Sequence, residues 1–131
     1  MGERLVDRGE CSELVNDFDF SALKDLRMLT SKDPNRFRRL VSLFLASLEE
    51  SFLSIRKGLD RGDYSSVREV AHTLKGTSAN LGALRLSSLC AALEQSCEDR
   101  QLDQVATDVR NLQEEASRVK AILETETNRV K

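Results

Sequence analysis

One imidazole, one ammonium group and one glycine stand close together in this 131-residue sequence: His72 is its only histidine, Lys75 follows three residues later, and Gly76 comes next. An imidazole titrates near pH 6.5 when unperturbed, so at cellular pH one ring nitrogen can act as a nucleophile with no strong base beside it. Residues three apart on a helix are neighbours, which puts the Lys75 ammonium where it can help neutralise an anion attached to the ring. A nucleophile with a local cation suits phosphate chemistry. The plainer reading is that Lys75 pairs with Glu69 or Asp63 on a solvated face, and that His72 is a partly buried side chain satisfied by one hydrogen bond.

The helical wheel separates these readings. At about 100° per residue, Val67, Val70, Leu74 and Leu81 fall within about 40° of the pole opposite His72, so the ring is aimed away from the apolar stripe. Its wheel neighbours are Ser65, Arg68, Glu69, Lys75, Gly76 and Ala79, all polar or small. A glycine inside a helix costs about 1 kcal/mol relative to alanine, and Gly76 is on the wrong side to be explained by packing in a core. Together Gly76 and Ala79 leave the C-terminal side of the ring uncovered, as if another protein's surface has to reach it.

The elements that must hold this face are helical. Phe20, Leu23, Leu26 and Leu29 recur every three residues behind the possible caps Asp17, Asp19 and Ser21, predicting a short first helix. Asp33-Pro34 is a start signal, an N-cap carboxylate before a proline whose missing N–H costs nothing at the first helical position. From there Phe37, Leu40, Val41, Phe44, Leu45, Leu48, Phe52, Ile55 and Leu59 keep helical spacing for about six turns, until Gly62. Asp63 can cap the third helix, expected to run to about Ala79, before the break Asn80-Leu81-Gly82. Leu86, Leu89, Cys90, Leu93 and Cys97 form a fourth stripe, and Val105, Val109, Leu112, Ala116, Val119 and Leu123 a fifth. The expected architecture is all-α, an antiparallel four-helix bundle with a shorter additional N-terminal helix. It should occupy residues 17–125, after a poorly ordered leader or linker at 1–16 and before a C-terminal tail at 126–131.

Composition agrees and narrows the function classes. Hydrophobic residues make up 40% and charged residues 32%, with one proline and six glycines, a balance that favours helices over strands. Twenty basic against twenty-two acidic residues give a net charge of -2, so no global field draws the chain to nucleic acid or an anionic membrane. Cys11, Cys90 and Cys97 lack the spacing of a zinc site, and no metal site is expected. Cys90 and Cys97, seven residues apart, would sit about 10 Å from each other along a helix, too far for a disulfide, and are expected as buried thiols of a reducing compartment. No apolar run approaches the roughly 18 residues of a membrane span, and the opening MGERLVDRGE is too charged for a signal peptide. The expectation is a cytoplasmic chain, or the cytoplasmic side of a membrane-bound sensor, with no membrane contact by this segment.

The stretch AHTLKGTSANLGA, from Ala71 to Ala83, closely resembles the signature of histidine-containing phosphotransfer (HPt) domains, with its His-x-x-Lys-Gly core and following Leu-Gly. Flanking sequence extends the likeness over roughly residues 18 to 124. The resemblance implies a four-helix bundle core that displays a phosphorylated histidine. It makes His72 the phosphoacceptor, Lys75 its electrostatic support, and Gly76 a clearing for the receiver domain of a response regulator, with Arg68, Glu69 and Ala79 around it as docking residues. Some family members place a polar side chain on the next helix near the imidazole, and Glu94 is the candidate here, able to orient the ring's second nitrogen. The family relays a phosphoryl group between receiver aspartates, so the resemblance implies a non-enzymatic carrier that binds no cofactor, the Mg²⁺ coming with the receiver. The chain is then a module of, or partner to, a hybrid sensor histidine kinase, and is expected to be monomeric. A histidine kinase dimerisation domain would continue into an ATP-binding domain with glycine-rich motifs, which this sequence lacks. The alternative left open is a helical adaptor that binds a receiver or other signalling protein without carrying phosphate.

Overall fold

The computed structural model describes Leu14, Val15 and residues 18–129. Two short strands, β1 (Leu14–Val15) and β2 (Phe18–Asp19), pair antiparallel and lead into five helices: α1 (Phe20–Leu29), α2 (Pro34–Arg61), α3 (Tyr64–Leu81), α4 (Leu84–Glu98) and α5 (Leu102–Arg129). α2 packs on α3, α3 on α4, α4 on α5, and α5 closes back on α2. The turns between successive long helices are only two or three residues, which forces neighbours to run antiparallel. α1 lies against α2 and α3.

Each boundary has a local cause. The Asp19 carboxylate accepts the Ser21 N–H and caps α1, so Asp19 is the cap among the three candidates. Asp63 does the same for α3 by accepting the Ser66 N–H. Gly62 closes α2 in the left-handed conformation at φ +69°, where a side chain would be strained. At the start of α2, Pro34 is where expected, but Asp33 makes no side-chain cap bond. Its carboxylate instead lies 3.8 Å from Arg39.

The core is the meeting of the predicted stripes. Phe37, Val41, Leu48 and Ile55 of α2 are buried with Val67, Ala71 and Leu74 of α3, Leu86, Cys90 and Leu93 of α4, and Leu112, Val119 and Leu123 of α5. Each of the Val, Leu, Ile and Phe side chains among them contributes about 1.5–3 kcal/mol. Gly58 lets α2 and α3 approach closely, since a Cβ there would stand 2.7 Å from Val67 Cγ2. Cys90 and Cys97 are buried free thiols, and Cys11 lies outside the described residues.

Three expectations change. α3 runs past Ala79 through Asn80 and Leu81 to Gly82. Within the expected leader, Leu14 and Val15 form a strand because Val15 pairs with Phe18, and the completely buried Phe18 in turn bridges to Ala83. The expected tail at 126–131 belongs to α5 as far as Arg129: Glu126 is buried and accepts a 3.0 Å hydrogen bond from Arg27 of α1, which extends the packed part of the helix. No helix among the described residues is long and apolar enough to cross a membrane.

Candidate functional site

α3 presents two faces. Val67, Ala71, Leu74 and Ser78 are buried, and one residue on from Ala71 the chain has turned His72 outward. The His72 side chain is 65% exposed, as the wheel requires. The N-terminal turn of α3 is fixed by the Asp63 cap, and its C-terminal end by Gly82, whose φ is +93° and whose missing Cβ makes room for the Asp19 carbonyl. Asp19 N–H donates to the Gly82 carbonyl at 2.7 Å. The Leu-Gly of the sequence signature therefore serves the fold: it ends α3 and seats the chain entering α1 against the α3–α4 turn.

Glu94 of α4 organises the site. One carboxylate oxygen, Oε2, is 2.9 Å from His72 Nδ1, and the other, Oε1, accepts a hydrogen bond from Lys75 Nζ at 2.9 Å. Only 16% of the Glu94 side chain is exposed. The Lys75 hydrogen bond holds the Glu94 carboxyl below its ordinary range, partial burial opposes this, and the His72 hydrogen bond adds to it. An ionised carboxylate can only accept, so the proton between Glu94 and the ring belongs to Nδ1. In the neutral imidazole the lone pair then sits on Nε2, which meets no hydrogen-bonding group among the described residues. Glu94 thereby favours the Nδ1–H tautomer and leaves Nε2 as the ring nitrogen not engaged among the described residues. The Ser87 hydroxyl, which sequence reasoning missed, donates to the Lys75 carbonyl at 2.9 Å and ties α4 to α3 beside the site.

The remaining candidates divide. Gly76 and Ala79 are exposed along α3, and a Cβ built on Gly76 would meet nothing within 4 Å. No contact among the described residues requires that glycine. Arg68, one turn before His72, pairs with Glu98 of α4 at 3.6 Å. Glu69 turns the other way and lines a polar groove of about 500 Å³ between α2 and α3, together with Glu50, Lys57 and Arg61. Lys75 pairs with Glu94 rather than with Glu69 or Asp63, because α4 brings a carboxylate to it that α3 alone does not. Among the described residues no three His, Cys, Asp or Glu side chains converge as metal ligands.

The Hpt domain family model matches residues 39–122, which include α3, α4 and the whole His72–Lys75–Glu94 cluster. The chain belongs to the Hpt family. Among similar proteins, the pseudo histidine-containing phosphotransfer protein 2 of Oryza sativa subsp. japonica is 25% identical over 127 residues, covering 95% of this HPt domain chain and 80% of the relative. Histidine-containing phosphotransfer protein 2 of Arabidopsis thaliana is 31% identical over 85 residues, 63% of this chain and 53% of the relative. The solved structure of histidine-containing phosphotransfer protein B from Pseudomonas aeruginosa PAO1 superposes with a TM-score of 0.82 at 26% identity, over 89% of this chain and 99% of that one. Membership accounts for the bundle, and the chain's single histidine, His72, lies within the matched residues.

Proposed function

We propose that this HPt domain is a phosphorelay intermediate whose His72 accepts a phosphoryl group from the aspartyl phosphate of one receiver domain and passes it to the aspartate of another. The observation that carries the reading is the exposed imidazole with Nδ1 held by Glu94 and Nε2 open to a partner. In the accepting step the Nε2 lone pair forms the new P–N bond in line as the aspartate oxygen leaves with the P–O electron pair. Transfer of this kind needs chiefly positioning and charge neutralisation. Lys75, already beside the ring, supplies local positive charge for the incoming phosphoryl oxygens. Gly76 and Ala79 leave the surface low where the receiver must approach, with Arg68 and Glu69 at its edges.

The donor set here is one imidazole, one ammonium and one carboxylate already engaged by both. Mg²⁺ prefers several oxygen ligands in octahedral array, so these residues do not suit it, and the ion is assigned to the receiver's acidic pocket. The chain is a carrier without kinase or phosphatase activity of its own. We place it in the cytoplasm, as a monomer that serves or forms part of a hybrid sensor histidine kinase. The test is incubation with a ³²P-phosphorylated receiver domain, following acid-labile, alkali-stable label. Label should reach the wild-type chain and be lost in His72→Gln with helicity unchanged. A receiver that binds without passing label would mark the chain as a non-phosphorylated adaptor.

A further inference from the structure

The two oxygens of Glu94 are assigned to different partners: Oε2 faces the ring N–H and Oε1 faces the ammonium of Lys75. This division has a consequence once Nε2 carries phosphate. When a neutral ring with its proton on Nδ1 forms a bond through Nε2, it keeps that proton and becomes a cation bearing a phosphoryl dianion. No proton has to enter or leave. When the group departs, the P–N electron pair returns to the ring, and a cationic ring releases neutral imidazole, a far better leaving group than the imidazolate left by a ring that has lost its Nδ1 proton.

Resting on the phosphocarrier reading above, we propose that Glu94 is a positioning residue that keeps phosphorylated His72 protonated at Nδ1, so that the phosphoryl group leaves from a cationic ring across the neutral and mildly alkaline range. A carboxylate accepting the Nδ1 proton stabilises the cation by opposite charge, and partial burial strengthens the attraction. Lys75 on the second oxygen keeps Glu94 ionised and in place and offsets its repulsion of the phosphoryl dianion. The other titratable groups around the site leave this assignment intact. On α3, Arg68 is paired with Glu98 of α4, and Glu69 lines the groove on the α2 side. Cys90 of α4 lies in the core, where burial pushes its thiol up to about 12 and so keeps it neutral. The charged groups of α2 nearest this face, Glu50, Lys57 and Arg61, line the groove on the Glu69 side.

The experiment needs no cognate partner. The full chain is loaded with phosphoramidate, freed of the reagent, and its loss of phosphate to water is followed by ³¹P NMR as pH is raised over about two units above the ordinary imidazole value of 6.5. The wild-type rate should stay nearly level. In Glu94→Gln the amide oxygen still accepts the Nδ1 hydrogen bond but supplies no charge, so the rate should fall by up to about tenfold per pH unit once the ring loses its proton. Glu94→Asp should restore a level profile, and the ¹⁵N shift of Nδ1 should report the protonated ring in wild type where Glu94→Gln reports the deprotonated one. Parallel profiles in wild type and Glu94→Gln, with matching far-UV circular dichroism, would overturn the proposal while leaving the carrier reading standing. Failure of wild type to take label from either phosphoramidate or a phosphorylated receiver would overturn the carrier reading, and this one with it.

Discussion

Substituting Gly76 should move stability and function in opposite directions. The residue is exposed in the interior of α3, and a Cβ added there meets no atom of the described residues within 4 Å. Gly76→Ala therefore introduces no clash and removes backbone freedom from the unfolded chain, a gain of about 0.5–1 kcal/mol. That corresponds to a factor of about 2–5 in the folding equilibrium. With about 2.1 cal/mol/K of unfolding entropy per residue, a 131-residue chain should melt about 2–4 °C higher. Thermal unfolding by far-UV circular dichroism reads this directly. On the functional side a methyl group intrudes slightly on the receiver's approach, and Gly76→Gln intrudes far more. Transfer from a phosphorylated receiver should slow in the alanine variant and drop at least tenfold in the glutamine variant, about 1.4 kcal/mol of lost docking or transition-state stabilisation. A lower melting temperature in Gly76→Ala would mean that the glycine serves the fold. Wild-type transfer in Gly76→Gln would mean that the open space serves no partner, and either result refutes the reasoning.

Other perturbations isolate other parts of the account. Lys75→Ala should slow phosphotransfer by about tenfold or more while changing stability by less than about 1 kcal/mol, since the ion pair it breaks is partly exposed; quench-flow labelling and urea unfolding check the two halves. Gly58→Ala forces a methyl against Val67 and should destabilise by about 1–3 kcal/mol in urea unfolding, with His72 labelling preserved in the folded fraction. Ser96→Ala removes the 2.6 Å hydrogen bond to the buried Asp108 carboxylate and should cost about 1–3 kcal/mol by the same measurement. The Asp63 carboxyl is held below its ordinary value chiefly by the Ser66 hydroxyl and Ser66 N–H. A depressed folded-state value means that its stabilising contribution is present above the unfolded carboxylate value near pH 4 and is lost as pH falls through the folded one. Asp63→Asn should therefore flatten the acid limb of the stability profile measured by urea titration.

The sequence carried the bundle and the exposure of His72 because both follow from helical periodicity. Apolar residues at helical spacing placed all four long helices, and the same wheel turned His72 to solvent without reference to any neighbour. What it could not carry were contacts between elements. The wheel offered Lys75 only partners on its own helix, whereas the carboxylate it meets comes from α4 through a turn whose geometry depends on Gly82. Glu94 stood out by position along the chain, but its bidentate use followed only from the approach of α3 and α4. Buried acids were hidden for a related reason. Asp108, Glu115 and Glu126 occupy inward positions on α5, and a hydrophobicity pattern counts them as solvent-facing because it cannot register Ser96, Arg118 or Arg27, the groups that satisfy them. The β1–β2 pairing escaped because two-residue strands leave no alternation to read.

The most direct measurement is the position of the phosphoryl group itself. The ¹⁵N-labelled chain, phosphorylated by a receiver domain or by phosphoramidate, should show one phosphoramidate resonance with P–N splitting to Nε2 of His72, while Nδ1 retains its proton. Phosphate found on Nδ1, on another residue, or still present in His72→Gln would contradict the account.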